Sequence, residues 1–260
     1  MSTPPTDDRR NLAVLIVSGG MDSCVLAYYY ASAGFDLHML SFNYGQKHVK
    51  ELTYAEKYIA NLRDRYGRGS TAISIRHDVI ELPISRLSPD SDSALLNAER
   101  QMPHGHYSDD SMKATVVPYR NPNMLLQAAT VAWNEHASVV AYAAHYGDYA
   151  QYPDCREVFV DAFNNMLATA MVGQDIKVEA PFMYFSKAQI ARLGANFNVP
   201  FELTWSCYEG GSYGLNDSHC GICGTCVERY ESFKLAGVAD PTTYANDPEK
   251  YLHIAGVATV

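Results

Sequence analysis

No apolar run in this 260-residue chain reaches the roughly 20 residues a membrane-spanning helix requires. Positive charge is scarce. Twenty Lys and Arg stand against 29 Asp and Glu, a net charge of −9, which argues against broad, sequence-independent binding to nucleic acid. Residues 1–11 are polar and contain proline, with no apolar signal-peptide core, so a loose tail and a cytoplasmic protein are expected. The Lys-Ser/Thr ending of the Walker loop is missing, as is the three-glycine spacing of the dinucleotide fingerprint. A disulfide framework is also not expected. Four of the six cysteines fall within twenty residues, but such frameworks belong to small secreted chains, so the cluster points to metal. What is plentiful is apolar surface, 47% of residues, enough for one large α/β domain with an appendage or two small domains.

The chain is organised around Ser18-Gly19-Gly20-Met21-Asp22-Ser23. Before it stands Leu12-Ala13-Val14-Leu15-Ile16-Val17, apolar throughout and of the length of a buried parallel strand. After it, Cys24 to Tyr30 reads as a helix. Glycines at a strand-to-helix turn let the backbone approach an anion, and the helix N-terminus adds free donors and the positive end of a dipole. Ser18 and Ser23 add hydroxyls. The carboxylate of Asp22 repels phosphate unless a cation lies between them, which implies Mg²⁺. The pattern resembles the pyrophosphate loop of the ATP pyrophosphatases, which cut ATP between its α- and β-phosphates.

Further along, strands are expected over residues 35–42, 71–76, 138–143 and 177–181, alternating with helices over 51–66, 124–135, 157–171 and 187–197. That alternation predicts a parallel sheet with right-handed crossovers and ligands at the C-terminal strand ends. Asn43-Tyr44-Gly45-Gln46-Lys47-His48 is a polar loop after the second strand. Residues 80–115 break the rhythm and read as an excursion, a lid or a subunit contact, whose His104 and His106 are expected to be solvated. Asn121 fits an N-cap and Pro122 a first helical position. Arg120, just before this helix, is positioned for a phosphate contact. Tyr149 and Tyr152 suit stacking on a flat ring. Asp148 and Asp154 suit hydrogen bonding to a base or holding a cation, and Arg156 suits pairing with an anion. Cys155 reads as a buried or base-contacting thiol, because no base stands beside it. Lys187, in the first turn after Ser186, is either solvated or reaches phosphates. Cys207, Cys220, Cys223 and Cys226 offer four thiolates with Gly221 and Gly224 relieving the backbone between them, a closed set that suits structural zinc or an iron–sulfur cluster. His219 reads as a bystander.

The loop at 18–23, Pro118-x-Arg120-Asn121, Tyr152-Pro153-Asp154-Cys155-Arg156, Thr204-Trp205-Ser206-Cys207-Tyr208 and Cys220-x-x-Cys223-x-x-Cys226 occur in this order. Together they resemble the 7-cyano-7-deazaguanine synthases, nitrile-forming PP-loop enzymes of the queuosine and archaeosine pathways. The resemblance spans most of the chain. It implies a Rossmann-like parallel sheet of the nucleotide α-hydrolase type over residues 12–200, with the excursion 80–115, followed by a zinc-binding segment over 201–260. It implies conversion of 7-carboxy-7-deazaguanine and ammonia to the nitrile, driven by ATP through adenylated intermediates. With no glutaminase module evident, free ammonia is the expected nitrogen source.

The family carries zinc on the four cysteines, and the resemblance further implies Mg²⁺ with ATP and a homodimer. Transferred to this sequence, ATP would meet Ser18, Gly19, Gly20, Met21, Asp22, Ser23 and Arg120. Catalysis would fall to Asp22, Ser23, Arg120 and Lys187. The deazaguanine would meet Tyr149, Tyr152, Asp154, Cys155 and Arg156. Two alternatives share these motifs: a PP-loop enzyme that adenylates a tRNA base or a related deazaguanine, and a zinc module with a degenerate loop. The acidic balance argues against an RNA-binding face, and the intact polar loop against degeneracy.

Overall fold

Five parallel strands form one sheet in the order β3-β2-β1-β4-β5. They are β1 (Leu12–Ile16), β2 (Asp36–Asn43), β3 (Ile75–Glu81), β4 (Val139–Ala141) and β5 (Lys177–Glu179). The computed structural model describes residues 11–105, 113–149, 152–171, 175–209 and 217–252. All of the expected N-terminal tail except Asn11 lies outside them, as does His106. Among the described residues no helix is long and apolar enough to cross a membrane.

β1 is central and covered on both sides, which is why its sequence is apolar without alternation. Ala13 and Leu15 point to a layer made by α1 (Met21–Ser32), α2 (Lys50–Tyr66), α6 (Lys187–Asn196) and α7 (Gly224–Ala236). Val14 points to the other layer, made by α4 (Arg120–Glu135) and α5 (Glu157–Ala170), where the four cysteines also pack. The two faces follow from the period-2 geometry of a strand. The chain leaves β1 for β2 on one side and β4 lies on the other, so strand order switches beside β1. Open α/β sheets bind ligands at that crevice.

Three expectations need correction. The third strand runs Ile75–Glu81 and not 71–76. It is one of the two edge strands, half-exposed, and carries Arg76, His77, Asp78 and Glu81, charged and polar groups that blunt an edge but hide the strand from a search for apolar runs. The helix expected from Met124 begins at Arg120, after Tyr119 in the left-handed region at φ 57°. Asn121 is therefore not its cap. Pro122 sits in the first turn, where its missing N–H would have had no intrahelical partner in any case. Finally, His104 is half-exposed but not a solvated bystander: its Nε2 lies 2.9 Å from Glu209 Oε1, and its backbone bridges to Cys223. The excursion holds a short helix, α3 (Ile84–Leu87). At α6 the expectation holds in full. Ser186 Oγ accepts from Gln189 N, and Gln189 Oε1 accepts from Ser186 N, a capping box.

One buried charge ties the segment after α6 to α7. Arg229 is fully buried and donates to Thr204 Oγ1 at 2.8 Å, Ser206 Oγ at 3.0 Å, Phe201 O at 3.0 Å and Thr242 Oγ1 at 2.8 Å, with Asp240 3.8 Å away. Arg229→Met removes every one of these donors and leaves Asp240 uncompensated. The expected loss is about 3 kcal/mol or more, which is a fall in melting temperature on the order of 10 °C for a chain of this size. A thermal melt within about 2 °C of the parent protein would contradict this account of Arg229.

Candidate active site

Gly19 turns the chain out of β1 at φ +87°, a conformation side chains rarely adopt. A Cβ there would stand 2.0 Å from the carbonyl oxygen of Glu51, so α2 packs directly against the glycine backbone. Gly20 then caps α1 with extended backbone and no side-chain cap, which leaves the first N–H groups of the helix available to an anion. The loop is held by its serines. Ser23 Oγ donates to Gly20 O at 3.1 Å and accepts from Ser18 N at 3.2 Å, while Ser18 Oγ accepts from Gly20 N at 3.3 Å.

A single cavity runs along this turn. Ser18, Gly20, Met21, Asp22 and Ser23 line it, together with Arg120, Tyr152, Cys155 and Lys187. Gly19 lies behind the turn. Tyr149, Asp154 and Arg156, expected beside a planar base, do not line the cavity in this structure. Arg156 Nε donates to Tyr149 O at 2.8 Å and its guanidinium lies 5.8 Å from that ring, so these two hold each other. Asp154 offers its backbone carbonyl to Tyr142 OH at 2.9 Å. Its carboxyl is pushed above the usual range by burial, against the pull of Arg120 and Asn121. Cys155 is buried, with Asn121 Nδ2 3.6 Å from its sulfur, and burial followed by Asp148 and Asp154 pushes its thiol well up. That environment favours the protonated thiol over the thiolate.

Two groups gather residues that sequence reasoning left unassigned around ones it named. The first surrounds Lys187, whose Nζ lies 2.6 Å from Glu228 Oε2 and 3.5 Å from Asp22 Oδ2. Burial alone would lower its ammonium, but Asp22 and Glu228 outweigh it and raise the pKa, so Lys187 is a fixed cation. His145 is buried, accepts from Gly147 N at Nδ1, and holds Nε2 3.6 Å from Asp148 and 3.9 Å from Asp22. Burial raises Asp148, partly offset by His145 and Lys187. Asp22 Oδ1 is buried without a hydrogen-bond partner, so the residues present fit a divalent cation arriving with a phosphate. Glu228 comes from α7, a helix not expected from the sequence, whose buried positions include Gly224, Thr225, Arg229 and Ser232 and so form no apolar stripe.

The second group is aromatic and follows β2. Tyr44, His48, Tyr152 and Tyr208 line the cavity with Glu51 and Arg120. Arg120 is half-buried, its Nη1 3.5 Å from Tyr44 OH. Burial pushes the Tyr44 phenol up to about 12, although Arg120 draws it down, and burial raises Tyr208 as well, so both stay neutral. The polar run from Asn43 to His48 was visible in sequence, but its partner Glu51 sits on an amphipathic helix and gave no signal.

Behind Ser206 lie the cysteines. Cys207, Cys220, Cys223 and Cys226 are all buried, and their sulfurs lie within 4.8 Å of one another. Cys220 and Cys226 are 3.8 Å apart. Four thiolates at about 2.3 Å from one ion form a tetrahedron with edges near that length. Backbone N–H groups of Ile222 and Cys223 point at Cys220 Sγ at 3.4 and 3.3 Å, the outer hydrogen bonds that orient metal thiolates. The cluster is thus compatible with a structural zinc. His219 is no ligand. Its Nε2 accepts from Ser206 N at 3.1 Å, its ring lies 4.3 Å from that of Trp205, and burial with Arg229 pushes it down to about 3.

The family model described as "Queuosine biosynthesis protein QueC" matches residues 12–237. This chain belongs to the QueC family. Among curated QueC relatives, the 7-cyano-7-deazaguanine synthase 1 of Mesorhizobium japonicum is 43% identical over 242 residues, 93% of this chain and 96% of that protein. The 7-cyano-7-deazaguanine synthase of Ruegeria pomeroyi is 43% identical over 237 residues, 91% and 95% of the two chains. That of Brucella canis is 44% identical over 232 residues, 89% and 92%. The QueC match covers every strand of the sheet, the loop at 18–23 and all four clustered cysteines.

Proposed function

We propose that this chain converts 7-carboxy-7-deazaguanine and ammonia to 7-cyano-7-deazaguanine at the expense of ATP. The observation that carries the reading is the Ser18–Ser23 turn: an uncapped helix N-terminus at the switch point of a parallel sheet, in a chain of the QueC family. A carboxylate is a poor electrophile because its oxygen leaves badly. Attack of that oxygen on the α-phosphorus of ATP makes an acyl adenylate, ammonia then gives the amide, and a second adenylation on the amide oxygen permits loss of AMP and leaves the nitrile. Both adenylations release pyrophosphate, so both need donors fixed where its charge develops. The α1 N–H groups, Ser18, Arg120 and the cation Lys187 supply them, and Ser23 keeps the turn in shape. Asp22 would hold the magnesium ion that accompanies ATP, which supplies charge neutralisation. Tyr152, Cys155 and Asn121 form the wall toward the deazaguanine, and Tyr149, Asp154 and Arg156, which lie off the cavity, are assigned to the same substrate only on the family resemblance.

The rest of the reading follows the same family. Zinc on Cys207, Cys220, Cys223 and Cys226 is structural, because four thiolates leave no position for water. The nitrogen source is free ammonia, the protein works as a cytoplasmic homodimer, and it takes small molecules and holds no nucleic acid stably. The test is phosphorus NMR on a reaction with 7-carboxy-7-deazaguanine, ammonia and excess ATP. AMP and pyrophosphate are expected, with one AMP for each of the two adenylations per nitrile. Stoichiometric ADP would sink the mechanism, and no ATP consumption with this substrate would sink the assignment.

A further inference from the structure

Four carboxylate side chains among the described residues line the cavity. Three of them, Asp22, Asp148 and Glu228, gather around Lys187 and His145. Glu51 has other neighbours. It stands in the first turn of α2, just after the loop that carries Tyr44, Gln46 and His48. Its Oε1 accepts from Gln46 Nε2 at 3.1 Å, with His48 Nε2 3.3 Å from the same oxygen. Gln46 is itself fixed: Nε2 also donates to Phe42 O at 3.0 Å, and its side-chain oxygen accepts from Tyr44 N at 2.8 Å. One oxygen of Glu51 is therefore locked in place. The other, Oε2, accepts from no described residue. Nor is it closed off. The buried side-chain atoms left without a partner are Asp22 Oδ1, His48 Nδ1 and Tyr58 OH, and the Glu51 side chain keeps 11% of its surface in a residue that lines the cavity. Oε2 is thus a fixed acceptor open to whatever fills the cavity.

A carboxylate oxygen only accepts, so the group it meets is a donor. An ammonium ion is one candidate, but Arg120 lines the same cavity with Nη1 3.5 Å from Tyr44 OH, and a second cation beside it is repelled. A neutral N–H edge is favoured. Adenine offers a single amino group flanked by lone pairs on N1 and N7, which a carboxylate repels. A guanine-type base offers N1–H and a 2-amino group side by side, with no acceptor between them. Resting on the reading above, we propose that Glu51 reads the N1–H and 2-amino edge of the deazaguanine, with Oε2 as the acceptor. C2 lies across the six-membered ring from C5, the atom that carries C7. This orientation therefore holds the substrate's own carboxylate on the far side of the base from Glu51, and the two anions stay apart while the 7-carboxylate reacts.

The test uses 7-carboxy-7-deazahypoxanthine, the same molecule without its 2-amino group, and reads AMP release at saturating ammonia. The parent protein is expected to prefer the 2-amino compound about 100-fold or more in kcat/KM, because the analogue leaves a buried acceptor unpaired. Glu51→Gln keeps the shape of the side chain. Gln46 Nε2 then holds the new amide oxygen and turns its NH2 group on the donors of the base. The expected result is a loss of about 100-fold in kcat/KM for the deazaguanine, carried mainly by KM, with a preference for the 2-amino compound below about tenfold and KM for ATP within about threefold of the parent. A variant that keeps the full preference overturns the assignment. So does an equal rise in KM for ATP and for the deazaguanine, because Glu51 would then read adenine or only shape the cavity. Should Glu51→Gln not fold, Glu51→Asp withdraws the carboxylate by one methylene and is expected to show the same loss of preference in smaller measure; an unchanged preference there overturns the assignment too. A parent protein that uses both compounds within about tenfold overturns it without any variant. A parent protein that releases AMP with neither refutes the proposed function instead, a failure distinct from that of Glu51.

Discussion

Cys223→Ser is expected to cost the protein its metal and most of its soluble yield together. The four sulfurs are buried within 4.8 Å of one another, and the turn that carries three of them is held by more than the thiols. Gly221 sits at φ +79°, where a Cβ would stand 2.0 Å from Asn246 O, and Asn246 Nδ2 donates to Cys220 O at 2.8 Å. His219 N donates to Thr243 O at 2.9 Å and His219 O accepts from Ala245 N at 2.8 Å across the same junction. Metal binding to such a site is folding free energy, with apparent values of roughly 10–16 kcal/mol in isolated zinc modules, against a total stability of about 5–15 kcal/mol for a domain. Serine is a weak ligand for a thiolate-preferring ion, and unmetallated it leaves three buried thiols with nothing to bind. Elemental analysis and circular dichroism of the variant read both effects. One equivalent of zinc per chain is expected in the parent protein. A variant as soluble and as stable as the parent, or a folded and active parent without zinc, contradicts the account.

Asp22→Ala is expected to cut turnover by about a thousandfold or more, as removal of transition-state charge stabilisation does, while the fold survives. The second half follows from position. Asp22 lies in the first turn of α1 with its side chain 21% exposed, so its loss removes at most about 1 kcal/mol of favourable interaction with the helix dipole. The first half follows from the unpartnered Oδ1 and from Lys187, 3.5 Å from Oδ2. Without Asp22, the lysine leans on Glu228 alone and the cation accompanying ATP loses its protein oxygen. The loss should fall on kcat and on the dependence on magnesium concentration more than on KM for the deazaguanine. Turnover within tenfold of the parent, or an unaltered magnesium titration, would count against the assignment.

Much of this architecture could be read before any coordinates. Residues 12–17 are uniformly apolar because β1 is covered on both faces, and Ser186 with Gln189 announces α6 through local hydrogen bonds alone. Signals of that kind reside in neighbouring residues. β3 was misplaced because an edge strand can be charged, and the start of α4 was missed because Tyr119, not a capping side chain, precedes it. The site follows the same division. The turn at 18–23 and the cysteine spacing are contiguous and were legible. Glu228 and Glu51 were not: Glu51 sits in a helix whose pattern reports the core, Glu228 in one whose buried polar and small residues give no apolar stripe, and only the fold brings them to His48 and Lys187. Tyr149 and Arg156, adjacent in sequence to cavity residues, point elsewhere.

The contact between Trp205 N and Gly19 O, 2.9 Å long, has a bearing on how the protein is made. Gly19 is among the first residues of the sheet to leave the ribosome, and Trp205 follows only after the last strand. Until then the phosphate turn lacks the wall formed by Trp205, Ser206, Cys207 and Tyr208. A nascent chain can thus complete its sheet before this cavity has all of its walls. The cavity is therefore completed late in synthesis, by the segment that also carries the clustered cysteines.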